Sequence, residues 1–456
     1  MDGGHLKQRV AQQIDDSAQT IIDFGKDILR HPELGYKEFR TSRMAKEFME
    51  GLGLAVRDGL AITGLRSDYR ENSGPTVAIL GELDAVLCPE HPFADKTTGA
   101  AHACGHNVQV SAMLGSALGL LKSGVMRDLA GGVALIAVPS EEFVEIEFRR
   151  GLREAGKIEF LAGKQEMVKD GAFDGVDAAM MIHTDASTTQ PGVRAGGSSN
   201  GFMGKTARFL GKEAHAGGSP HMGINALSAA NIAFMSIQAQ RETFRDTDVV
   251  RVHPIITKGG DLVNIIPAEV KLEMHVRART ADAMMDAARK VDRALRAGAV
   301  AMGATVEIHT LTGHLPLVNN PGLVDLFLEN EGRLVPAQHL NRVPDSEVSG
   351  GTTDMGDISQ LMPAVHPHVG GVLGSGHSKD YEVVNEAHAY INSAKAMAFT
   401  VIDLLANGAE GIKDIRAGYR PIYTKSAYLA LLRKGFSFER FDGASITANT
   451  GHALSD

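Results

Sequence analysis

The chain has 456 residues, enough for two or three domains and a large core. Hydrophobic residues at 43% and charged residues at 22% exclude a disordered chain, and a formal net charge of -9 without a long Lys/Arg run excludes an electrostatic grip on nucleic acid. Cys88 and Cys104 alone cannot build a disulfide framework, which points to a reducing, cytoplasmic setting; the polar N-terminus and the lack of ~18 consecutive apolar residues argue against secretion and membrane insertion.

The first stretch reads as helices. Val10, Ile14, Ile21, Ile22, Ile28 and Leu29 recur at helical intervals, and a further helix is expected from about Phe39 to Leu52, with Pro32 and Gly35 breaking the chain between them. Three short apolar runs read as buried parallel strands: TVAILGEL ending at Leu83, GGVALIAVP ending at Pro139, and DAAMMIH ending at His183. A helix from about Val108 to Leu121 lies between the first two. Alternating strands and helices predict an α/β domain with a mostly parallel sheet flanked by helices.

Near Gly196 the run GGSSNGFMGK has the composition of a hinge or linker. After it the pattern predicts a strand (about 205–210), a helix (225–240), two strands (249–257 and 269–277), a helix (281–302) and a strand (305–311). This β-α-β-β-α-β order is that of a small open-faced sandwich inserted into the α/β chain. The α/β character then resumes with a helix near 321–330, a strand around 364–373 and a helix from about 386 to 405. The predicted organisation is a catalytic domain in two parts (1–196 and 313–410), an inserted domain (197–312) and a C-terminal extension (411–456) with no assignable role.

Chemistry-bearing residues follow the apolar strands, where active sites of open α/β sheets collect. Glu82-Leu83-Asp84 follows the first, Glu141-Glu142 the second and His183 the third, while HACGH (His102 to His106) opens the next helix. A thiolate and an imidazole two residues apart, Cys104 and His106, can converge on a divalent ion. Glu142 and His183 would extend the site to a second ion, and His377 in GSGHSKDY supplies a fifth donor. Glu141, beside a ligand, suits a proton shuttle. Asp84 would sit behind the metals, bridging them or orienting a histidine. The bland alternatives are a solvated Glu-Glu pair, a structural His183 and a helix-start turn at HACGH; His366 and His368 read as strand and turn residues. A Cys104 nucleophile has no use for the glutamate pair.

At HACGHN, with ELDA before it, PSEE after it and GHS near the end, the chain resembles the co-catalytic metallopeptidases that include aminoacylase and carboxypeptidase G, in the branch of hippurate, indole-acetyl-amino-acid and aminobenzoyl-glutamate hydrolases. The resemblance covers about residues 20 to 405. It implies two divalent ions per subunit (zinc, manganese, nickel or cobalt) on Cys104, His106, Glu142, His183 and His377, with Glu141 as general base. It makes the inserted domain a lid and dimerisation domain. There His215, in GKEAHAGGSPHMGINAL, would reach the scissile carbonyl, often from the neighbouring subunit of a homodimer. Asn264 and Arg277 would hold the substrate's carboxylate or peptide oxygen. Asp354, in GGTTDMGD, would take a supporting role. Glu82 stands where the branch commonly has Asp and receives no role. The implied activity is hydrolysis of a small-molecule amide, an N-acyl amino acid or aminobenzoyl-glutamate-like substrate with a free carboxylate. The alternatives are a dipeptidase or carboxypeptidase with the same chemistry, and a catalytically silent binding homologue.

Overall fold

The structure, a computed structural model, describes residues 3–186 and 189–445. The end of the expected C-terminal extension, 446–456, lies outside them. The chain forms two compact units: one of Met1–Ser198, Leu317–Glu347 and Asp354–Lys425, the other of Ser199–Pro316, Val348–Thr353 and Ser426–Asp456.

The first unit is built on a six-stranded sheet, in the order Val56–Leu60, Gly64–Arg70, Gly132–Val138, Thr76–Glu82, Ala178–Met180 and Ala364–Val365. The last four strands run parallel, and the first two form an antiparallel hairpin on one edge. The strands Thr76–Glu82 and Gly132–Val138 are buried along their whole length. That is why they read as unbroken apolar runs: a parallel strand covered on both faces has no solvent side to alternate toward. The helices His106–Lys122 and Ser393–Ala417 contribute to the same core. Gly81 allows close packing, because a Cβ there would lie 2.8 Å from the Val110 backbone.

In the second unit the antiparallel sheet runs Arg251–Lys258, Glu269–Ala278, Gly201–Leu210, Thr305–Thr312 and Ser437–Asp442. The even-numbered side chains of Glu269–Ala278 are buried and the odd-numbered ones are not, so one sheet face is covered and the other open. Two helices pack together, Ala226–Ala239 and Ala281–Met302, capped by the side chains of Asn225 and Thr280. Their close approach needs small residues: a Cβ on Gly298 would overlap the Ala229 carbonyl oxygen.

Three sequence expectations change. The Gly/Ser run around Gly196 holds the boundary between the two units, at Ser198 and Ser199, but as two strands, Val193–Ser199 and Gly201–Leu210, rather than as a loop; backbone pairing overrides the turn-like composition. The apolar runs at 178–183 and 364–373 are broken into short strands in separate sheets, Ala178–Met180 and Ala364–Val365 in one, His183–Thr184 and His368–Val369 in another. The backbone leaves helical geometry at Ala406, Asn407, Gly408 and Ala409, and the residues beyond form a further helical stretch to Ala417, the helix Lys425–Lys434 and the strand Ser437–Asp442, which pairs with Thr305–Thr312. Among the described residues no helix is long and apolar enough to cross a membrane.

Candidate metal centre

The first unit gathers the predicted donors at the carboxyl ends of its parallel strands. Glu82 is the last residue of Thr76–Glu82, and Glu141-Glu142 follow Gly132–Val138 in a tight turn. Gly105, with φ +90, turns the chain into the helix that His106 begins. A side chain at Gly105 would be strained in this left-handed region and would run into Thr184 and Tyr381.

His106 and His183 are fixed in the same tautomer. Nδ1–H of His106 donates to the Asp84 carbonyl oxygen at 2.8 Å, and Nδ1–H of His183 donates to the Thr184 carbonyl oxygen at 2.8 Å. Each ring therefore turns Nε2 inward, the atom that a metal-ligating histidine with a held Nδ1–H offers to the ion. His183 Nε2 lies 3.3 Å from Cys104 Sγ, His377 Nε2 lies 3.3 Å from Cys104 Sγ, and His377 Nε2 lies 3.0 Å from Glu142 Oε1. The His377 backbone N–H donates to the Ala103 carbonyl oxygen at 2.8 Å, at a φ of +63 that a non-glycine residue rarely adopts. Donors sharing one ion at bond lengths of roughly 2.0–2.3 Å stand about 3–3.5 Å from one another, which is the spacing seen here. His106 Nε2 and Glu142 Oε1 are buried and face other donors of the cluster, Glu82 Oε2 at 3.1 Å and His377 Nε2 at 3.0 Å. Soft sulfur, imidazole and carboxylate in one cluster suit a borderline divalent cation.

The donors are arranged as three overlapping groups: Cys104, His106 and His183; Cys104, Glu142 and His377; and Glu82, His106 and Glu141. Glu141 and Glu142 thus serve different sides of the cluster. Burial, helped by the charges of Glu82 and Glu142, pushes Glu141 well above the ordinary carboxylate range. Burial also pushes Glu142 up, but His377 holds it down at about 2. Burial and Glu142 push the Cys104 thiol up, while His183 and His106 more than offset them and bring it to about 6.

Asp84 sits behind the donors. Its Oδ2 accepts the Glu142 backbone N–H at 2.9 Å, and its Oδ1 lies 3.3 Å from His106 Nδ1. Asp354 does not meet the predicted ligands; it pairs with Lys164 and accepts the Lys164 backbone N–H at 3.1 Å. Several structural partners escaped the sequence reading. Lys164 is fully buried and reaches Glu82 Oε1 at 2.5 Å. Arg149, buried as well, donates to the Glu142 and Leu161 carbonyl oxygens. Glu38 accepts the Ser140 backbone N–H at 2.8 Å. None of the three lies in a motif, and each has other charged residues close by in sequence, so no local signal marks it. His366 and His368, read as bland, lie with ring centroids 5.7 and 5.4 Å from that of His183.

The second unit holds His215, Asn264 and Arg277. Its backbone joins the first two: His215 bridges Ile265, and the Ala216 N–H donates to the Asn264 carbonyl oxygen at 2.9 Å. His215 Nδ1 accepts the backbone N–H groups of Gly217 and Gly218 at 3.2 and 2.9 Å, which places the proton on Nε2 and makes that atom a donor. Arg277 Nη1 donates to the Gly350 carbonyl oxygen at 3.1 Å, and among the described residues no carboxylate pairs with it.

Comparison with known proteins decides the family. Residues 78–403 match the model of peptidase family M20/M25/M40. The chain belongs to that family. This M20 chain is 28% identical over 435 residues to an Xaa-Arg dipeptidase of Mus musculus, covering 90% of this chain and 91% of that one. It is 27% identical over 321 residues to an N-acetyl-L-cysteine deacetylase of Bacillus subtilis, covering 68% and 71%. A dinuclear metal-binding M20 peptidase of Bacillus subtilis shares the fold, with a TM-score of 0.62 at 21% identity over 86% of this chain and 99% of that one. The protein is accordingly a metal-dependent hydrolase of amide bonds.

Proposed function

We propose that this M20 hydrolase cleaves the amide bond of an N-acyl amino acid, or an aminobenzoyl-glutamate-like compound, with a free carboxylate. The observation that carries this reading is the spacing of Cys104, His106, Glu142, His183 and His377, whose donor atoms stand as ligands of a shared pair of cations would. Divalent cations bound there supply Lewis acidity, polarising a carbonyl and lowering the pKa of a water molecule. Zinc, manganese, nickel and cobalt all suit the donor set.

The chain's own residues divide the remaining work. Glu141, a buried carboxyl with a raised pKa, takes a proton and passes it to the leaving amine. His215 offers Nε2–H to the carbonyl oxygen as charge develops there, and Asn264 beside it helps hold that oxygen. Arg277, free of any carboxylate among the described residues, offers its planar fork to the substrate's carboxylate. Asp84 supports Glu142 and His106 from behind, and Asp354 holds Lys164. The assembly proposed is a cytoplasmic homodimer. The edge strand Arg251–Lys258 supports this with Ile255 and Ile256, 50% and 39% exposed, on an unpaired sheet edge.

A second reading, a dipeptidase with the same chemistry, is favoured by the similarity to the Xaa-Arg dipeptidase over nine-tenths of both chains. A panel of acyl-amino acids against dipeptides, compared by kcat/KM, separates the two. Higher values for acyl-amino acids support the first reading and higher values for dipeptides the second. No turnover of either, with metal loaded, would favour a silent binding homologue.

A further inference from the structure

Glu82 stands among the donors, yet no role follows for it from the motifs. It is 1% exposed at the end of the central parallel strand. Its two oxygens are used differently. Oε1 meets Lys164 Nζ at 2.5 Å, and Oε2 lies 3.1 Å from His106 Nε2. Nδ1–H of His106 is taken up by the Asp84 carbonyl oxygen, so Nε2 is the atom left to face the Glu82 carboxylate inside the buried cluster. That contact requires a positive centre between the two atoms, which a bound cation supplies in place of a proton. The separation falls in the same 3.0–3.3 Å band as the Cys104–His183, Cys104–His377 and Glu142–His377 donor pairs. Glu141, the proton carrier proposed above, offers an oxygen within 4.8 Å of both.

Lys164 explains the geometry of the carboxylate. Its ammonium is fully buried and is also paired with Asp354. A buried charge needs compensation, and Asp354 already supplies it. What Glu82 gains from Lys164 is orientation: one oxygen is held, so only the other is free to face the His106 side.

We propose that Glu82 is a cation ligand, the carboxylate that joins His106 on the Glu141 side of the cluster, and that Lys164 is the positioning residue that presents it. This rests on the two-cation reading above and adds to it a donor outside the five expected ligands.

Glu82→Gln tests this sharply because Lys164 dictates which way the amide faces. The amide oxygen stays with the ammonium, and the NH2 group, which cannot ligate, takes the place of Oε2. The metal-stripped protein and the variant are titrated with cobalt(II), following stoichiometry and the visible spectrum. Wild type is expected to take up two ions. In Glu82→Gln one of them should bind more than tenfold more weakly, while the thiolate-to-cobalt absorption from Cys104 persists. Should Glu82→Gln fail to melt cooperatively, Glu82→Asp decides, since it keeps a charge for Lys164 but withdraws the oxygen from His106. Variants that take up both ions with wild-type affinity would overturn the inference alone. Wild-type protein that takes up no cobalt would overturn the two-cation reading, and this inference with it.

Discussion

Asp84 ties together two donors that lie far apart in sequence: its side chain accepts the Glu142 N–H at 2.9 Å, and its backbone carbonyl accepts Nδ1–H of His106 at 2.8 Å. One residue thus sets the direction of an imidazole and the path of the glutamate turn. Asp84→Ala keeps the backbone carbonyl for His106 and removes the carboxylate that accepts the Glu142 N–H, which should weaken metal binding by about 10–100-fold, the usual cost of losing such a support. Competition with a chelator of known affinity measures it; an unchanged affinity would mean the glutamate turn is held by other contacts.

Glu141→Gln should leave metal content intact and lower kcat by about 10²–10⁴, the range for loss of general acid–base catalysis. The residue ligates nothing in the proposed division of labour, so metal analysis of the variant separates a proton-transfer role from a binding one. Loss of an ion along with activity would reassign it as a ligand.

Replacing His215 removes a donor whose tautomer is set by Gly217 and Gly218. His215→Ala is expected to cost about 10²–10³ in kcat with little change in KM. A change confined to KM would instead mark a ground-state contact.

Arg277→Ala should lower kcat/KM for substrates with a free carboxylate by roughly 10²-fold, the scale of a truncated charge pair. Turnover of the corresponding carboxamides should hardly change. Equal losses on both substrate series would contradict recognition of the carboxylate by Arg277.

Glu331 offers a test of stability far from the chemistry. Both its oxygens are buried without a hydrogen-bond partner among the described residues, and burial raises its pKa to about 8. The folded state holds this proton where the unfolded chain, with a glutamate pKa of about 4.3, has released it. Stability contributed by the neutral form is therefore complete below about pH 4 and is lost as pH climbs toward about 8. Glu331→Gln, uncharged at every pH, should flatten that decline in Tm between pH 5 and 8.5. Parallel curves for wild type and variant would show that the carboxyl finds compensation on folding.

The parallel core and the inserted βαββαβ pattern were readable because burial on two faces leaves uninterrupted apolar runs, while burial on one face leaves alternation, as along Glu269–Ala278. The donor groups stood out because the glutamate pair follows an apolar strand and HACGH crowds three reactive side chains into a helix start. The hairpin Val56–Arg70 and the strand Ser437–Asp442 were not: their stability comes from partners distant in sequence, and edge strands carry weak patterns. Lys164, Arg149 and Glu38 were hidden for a related reason. Each is a charged side chain whose meaning depends on which donor or acceptor the fold brings beside it, and nothing in the local sequence encodes that.

The most direct test of the account is the metal content of the purified chain, measured by elemental analysis before and after chelation, with amide hydrolysis assayed at each stage. About two divalent ions per chain, activity lost with them and restored on add-back, is the predicted result. Undiminished hydrolysis by fully stripped protein would contradict it.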